Sequence, residues 1–163
     1  MAIRITSKTL SDYDAQRAFN TATAYLRTSD LALYLIKNLE HSKKVTLNVE
    51  VCADPSPANA DTCDAGNLVW NLHGAALAGQ PEVIANASAE QQAYLASQWR
   101  LMHLLAQACE QLNADLNFRD ADATWPWLDE DTLSARDIET AVARELNTQP
   151  LPDGQSWNRV LKA

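Results

Sequence analysis

Residues 88–113 read SAEQQAYLASQWRLMHLLAQACEQLN, and this stretch decides the fold. Leu95, Met102, Leu105, Cys109 and Leu112 recur at three-, four- and seven-residue spacings, the signature of one buried helix face. Ser88 followed by Gln91 fits a capping box, which satisfies amides left free at a helix start. The sequence therefore predicts its longest element here, a helix over about 89–113 against which the other elements pack.

Working upstream, residues 72–87 carry Gly74, Gly79 and Pro81 and predict no regular element. Asn67-Leu-Val-Trp-Asn71 is a strand candidate. Residues 53–66 (ADPSPANADTCDAG) are small, polar and Pro-containing, and read as a loop. Val45, Leu47, Val49 and Val51 alternate strictly with polar residues, the clearest strand signal in the chain, and 67–71 can pair with them. His41-Ser-Lys-Lys44 makes a polar turn. Before it, Ser29 can cap a helix with Leu31, Tyr34, Leu35 and Leu39 in a stripe, and residues 12–27 place Phe19, Ala22 and Leu26 at helical spacing. Ile3 and Ile5 suggest a short strand over 2–6. Downstream, residues 114–131 form a connection holding Trp125-Pro-Trp127. Ser134 caps a last helix over about 135–147, with Ile138, Val142 and Leu146 inward, and Trp157, Val160 and Leu161 can dock the tail. No repeat or linker divides residues 1–163, which read as one domain. The expected class is α+β: a small antiparallel sheet packed on a long central helix, with flanking helices.

Composition narrows the function classes. The hydrophobic fraction of 47% and charged fraction of 21% are those of a folded chain that can bury its own core. The net charge of -8 comes from 21 acidic against 13 basic residues, and the one basic cluster is Lys43–Lys44. Phosphate backbones and anionic membranes select clustered cations, so a nucleic-acid or membrane-surface partner is disfavoured. No stretch approaches the roughly 18 apolar residues of a membrane span, and the start lacks the layout of a secretory signal. Cys52, Cys63 and Cys109 show no metal-binding spacing. They read as reduced thiols of the cytosol, with a Cys52–Cys63 bridge as the alternative for an oxidising compartment.

One turn of the long helix nearly carries a chemistry. A zinc peptidase helix reads H-E-x-x-H: two imidazoles four residues apart grip one ion, and the glutamate takes a proton from the bound water. Here His103 holds the first position, but Leu104 replaces the base and Gln107 the second ligand. Leucine accepts no proton, and an amide is a poor zinc ligand beside imidazole.

The surrounding segments carry a resemblance. Ala24-Tyr-Leu-Arg-Thr-Ser29 and Leu39-Glu-His-Ser-Lys-Lys-Val-Thr-Leu47 resemble the opening of the HExxH effector metallopeptidases that bacteria deliver through secretion systems, in which two short helices lead into a strand. Gly66-Asn-Leu-Val-Trp-Asn71 resembles the strand just upstream of their zinc helix. Glu130-Asp-Thr132 and Glu139-Thr-Ala-Val-Ala-Arg-Glu-Leu146 resemble their acidic segment and closing helix. The resemblance is an ordered series of short matches over most of residues 20–150, and it departs from the family at the motif itself. It implies a zincin-like scaffold without its hydrolytic machinery: a pseudoenzyme related to effectors or toxins, needing no cofactor and acting on a protein partner. It further implies residence in the producer's cytoplasm and delivery to a target cell without a cleavable signal. It also implies that His103 and Gln107 face the 67–71 strand across a cleft.

Other residues supply alternatives. His103 and Glu110 share a face but lie about 10.5 Å apart along the axis, too far to hold one ion. His73 can approach His103 in space, and Glu130, Asp131 or Glu139 can add a carboxylate to make an improvised zinc site. Cys52 or Cys63 with His73 is a possible nucleophile pair, whereas Cys109 and His103 point about 240° apart. The five tryptophans mostly supply core area. Trp125 and Trp127, near Asp120, Asp122 and Asp129, are the candidate binding anchors. A hydrolase with an altered active site, and an immunity or accessory protein on an unrelated helical fold, are the competing readings.

Overall fold

A computed structural model describes residues 2–54, 60–74, 76–113, 115–116, 125–129 and 133–152. In chain order the strand β1 (Ile3–Thr6) is followed by helices α1 (Asp12–Leu26) and α2 (Asp30–His41), then by strands β2 (Leu47–Cys52), β3 (Thr62–Asp64) and β4 (Asn67–Asn71). Next come a single helical turn α3 (Glu82–Ala85), the long helix α4 (Ala89–Gln111), a 3-10 turn (Pro126–Asp129) and α5 (Ala135–Leu146). This is a mixed α and β architecture with one small sheet. Predicted residues 153–163, including Trp157, Val160 and Leu161, lie outside the described residues.

The sheet runs β1-β2-β4-β3, and its direction corrects the expectation of an antiparallel sheet. β1 pairs parallel with β2, and β2 pairs parallel with β4; β3 alone runs antiparallel, on the outer edge against β4. The cause lies in the segment read as a loop. Thr62–Asp64 forms a strand there, so the chain reverses twice between β2 and β4 and returns in its original direction. The β3–β4 turn uses Ala65 at a left-handed φ of 51°. Gly66 is required beside it, because a Cβ there would lie 2.7 Å from the Thr46 carbonyl oxygen.

The strand alternation sorts the two faces. Leu47, Val49, Val51, Leu68 and Trp70 are buried, whereas Arg4, Thr6 and Asn67 are exposed and Asn48 and Glu50 half-buried. The sheet thus has one apolar face, which carries the core against α1 and α4. Buried side chains of α4 ring its whole circumference, as expected of a helix enclosed by neighbours. Trp70 in β4 donates its Nε1–H to the Ser97 carbonyl at 2.8 Å, fixing the sheet to α4 while satisfying a buried indole.

The helix starts follow from short-range chemistry. Ser11, Ser29, Ser88 and Ser134 each accept an amide two or three residues into α1, α2, α4 and α5, and the Ser88–Gln91 capping box is complete. Two of these helices also share partners. Glu110 of α4 accepts the Ala135 amide at 3.0 Å at the start of α5, and Glu145 of α5 accepts both the Ser29 hydroxyl and the Leu31 amide. Ile138, Val142 and Leu146 are fully buried on the inner side of α5.

Candidate functional site

Helical rotation of 100° per residue assigns each side of α4 a neighbour. Ser97, Leu104 and Gln111, seven residues apart, form the side toward β3 and β4: Ser97 receives Trp70, and Gln111 accepts the Ala65 amide. His103 and Glu110 form the adjacent stripe, which meets α5. His103 therefore meets α5 and not the 67–71 strand as expected. His103 Nδ1 lies 2.6 Å from Glu139 Oε1 on α5, and both side chains are partly accessible, at 33% and 20%. Leu104, in the place a general base would take, is 1% exposed within the core. Gln107, one turn beyond His103, is half-buried.

Two of the candidate ligands are thus in contact, His103 and Glu139. His73 is exposed on the segment after β4, where its amide donates to Asn71 Oδ1. Glu130 and Asp131 lie outside the described residues. Among the described residues no three His, Cys, Asp or Glu side chains converge as a metal-binding group. A helix-to-helix His–carboxylate pair of this kind can orient an imidazole, hold its proton on Nδ1 and leave Nε2 for a further contact.

Burial disfavours the thiolate form at all three cysteines. All three are free, which removes the Cys52–Cys63 bridge. Burial pushes the Cys109 thiol up to about 12, with Cys63 adding to the effect. Burial, and then the Asp64 carboxylate, push Cys63 up to about 11. Cys52 is raised by burial first and by Asp54 next. A raised thiol pKa keeps the nucleophilic thiolate scarce near neutral pH.

The tryptophans divide differently from the expectation of exposed anchors. Trp125 and Trp127 are half-buried and packed on the core, and the Trp125 ring leans on Tyr34 of α2 with centroids 5.8 Å apart. Asp120 and Asp122 lie outside the described residues.

A second polar cluster, at the carboxyl ends of β2 and β4, was not legible in the sequence. Asn71 Oδ1 accepts the Asp54 and His73 amides, and Asn71 Nδ2 donates to the Asp54 carbonyl. Asp61 accepts the Asn71 amide through Oδ1 at 2.7 Å and Arg100 Nη1 through Oδ2 at 2.7 Å. Arg100 rises from α4 and is 2% exposed. Gly74 packs close against its guanidinium: a Cβ there would fall 2.5 Å from Arg100 Cζ, so a side chain at this position would have to displace the arginine. The available signal was a lone arginine within an apolar helix and an aspartate ending a polar loop.

Comparison with known proteins adds no relative: no family model, no curated protein and no solved structure matches the chain.

Proposed function

We propose that this chain is a non-catalytic, metallopeptidase-like domain, related to effectors or toxins, that acts by binding another protein. The observation that carries the reading is the contrast within one helical turn. His103 keeps a carboxylate partner from the closing helix α5, as a ligand corner would, while Leu104 fills the base position from inside the core. A base at that position must reach a metal-bound water, and a buried leucine cannot. The order of elements supports the same reading: two helices enter β2, β4 precedes α4, and α5 closes the chain's described part. A zincin-like ancestry accounts for that order. Delivery from the producer's cytoplasm into a target cell is the context this ancestry implies.

A second reading, an altered hydrolase, draws on the accessibility of the His103–Glu139 pair, which can move a proton. One experiment separates the readings. Gln107→His places a second imidazole four residues from His103, whose Nδ1 Glu139 already holds, without introducing a charge at buried Leu104. Elemental analysis of the variant should find about one zinc per chain, with none in wild type. Failure of the folded variant to take zinc would remove the ancestry. Wild-type cleavage of an unfolded protein substrate, lost on His103→Ala, would establish the hydrolase instead.

A further inference from the structure

We infer that the free edge of β1 is a docking site for an extended peptide segment of a partner protein, one that sets a single carboxylate between two apolar residues. This rests on the reading that the chain acts by binding another protein, and not on its ancestry. β1 ends the sheet on the side away from β3. The Ala2 carbonyl accepts the Leu47 amide, and the parallel register sets Ile3 beside Leu47 and Ile5 beside Val49. Peptide groups alternate in direction along a strand, so Ala2 and Arg4 bond β2 while Ile3 and Ile5 turn their N–H and C=O outward. Among the described residues nothing bonds those outward groups. β1 packs on β2 and α1, whereas Arg4 and Thr6 are exposed and Ile5 half-buried, so solvent reaches the edge. An open edge strand takes an added strand through its backbone.

The strand's own residues select the occupant. Arg4 alternates with core-facing Ile3 and Ile5 and so stands on the polar face of the sheet, exposed. Glu50 on β2 shares that face but is paired with Lys8 at 3.6 Å. A strand laid antiparallel along the edge, with its peptide groups meeting Ile3 and Ile5, brings one residue directly opposite Arg4. That position is a non-hydrogen-bonded pair, where side chains stand closest, and a carboxylate there answers the guanidinium. The residues on either side of it fall on the other face, next to Ile3 and Ile5, where apolar side chains extend the core. A second copy does not fit this register. β1 against itself through Ile3 and Ile5 sets Arg4 opposite Arg4, and like charges so placed repel. An acidic run does not fit either, because the net charge of -8 opposes it. The opposite edge, β3, is three residues long and carries Asp64, so it lacks both the length and the cation.

The test titrates the intact ¹⁵N-labelled chain with short blocked peptides that carry valine on either side of a central glutamate or lysine. The readout is the shift and the hydrogen exchange of the Ile3 and Ile5 amides. The glutamate peptide should give saturable shifts and slowed exchange at both, with a Kd of about 0.1 mM or weaker because few groups make the contact. The lysine peptide should bind about tenfold more weakly, and Arg4→Glu should reverse that order. Ile5→Pro removes an N–H that no ladder bond uses, so it should abolish binding while the rest of the spectrum keeps its dispersion. If Ile5→Pro does not fold, the charge reversal at Arg4 carries the test alone. No saturable shift at Ile3 and Ile5, or equal affinity for the two peptides, overturns the proposal. Shifts there that follow protein concentration without peptide also overturn it, because the occupant is then a second copy. Zinc uptake by Gln107→His and any cleavage lost on His103→Ala are measured separately, so a failure of the edge is told apart from a failure of the reading it rests on.

Discussion

Arg100 and His103 stand one turn apart on α4, each held by a carboxylate from a different element, yet the two pairs are different kinds of interaction. The Arg100–Asp61 contact is 2.7 Å with side chains 3% and 16% exposed. The His103–Glu139 contact is 2.6 Å with side chains 33% and 20% exposed. Distance does not separate them; depth does. Removing one partner of an enclosed pair strands the other charge, whereas water screens and replaces a half-open one. The turn of helix between them passes from a fixed structural cation to an imidazole that solvent can reach.

The sharpest way to break this contrast is Arg100→Met, which keeps much of the stem and removes the charge. It should cost about 3 kcal/mol in urea unfolding, because Asp61 loses its cation and the loop it holds to Asn71 is loosened. A loss near that of a surface pair would place Arg100 outside the enclosed class.

Alkaline titration sharpens the comparison between buried and half-open groups. Burial holds Cys109 near 12 and Tyr25 near 12, above their ordinary 9.0 and 10.0, so the folded chain binds these protons more tightly than the unfolded one. Stability present below about pH 9 should therefore fall as pH rises toward 12. Fully buried Cys109 alone contributes a slope of up to about 1.4 kcal/mol per pH unit in that window. The urea midpoint measured across it should fall less steeply in Cys109→Ala than in wild type.

The smallest effect belongs to the half-open pair. His103→Ala should cost under about 1 kcal/mol, with the difference shrinking at high salt. A loss as large as that of Arg100→Met would mean that the α4–α5 contact depends on this pair and not on Ile138, Val142 and Leu146.

How much of this was legible depended on range. The four serine caps were readable, or follow from the same rule, because each acts over two or three residues; the alternation of β2 and the inner side of α5 were readable for a related reason. Sheet direction was not. It hinges on Thr62-Cys-Asp64, three residues with no apolar alternation, whose strand exists only because β4 offers it an edge. The orientation of His103 was also hidden. Adjacent residues on a helix differ by 100°, and which of His103 and Leu104 meets the sheet was decided by Trp70 reaching Ser97. The Arg100–Asp61 pair joins residues 39 positions apart, and no local pattern announces it.

Glu145 closes the opening of α2 from 116 residues further along the chain, measured to Ser29. On a ribosome, α2 leaves the exit tunnel long before that carboxylate has been made. Its first amides have Ser29 and water, and the distant group arrives only when α5 emerges. The amino-terminal helices can thus form early, but their final seating waits on the last described helix, so a chain stalled before Glu145 would present α2 with its leading turn still exposed to solvent and to proteases.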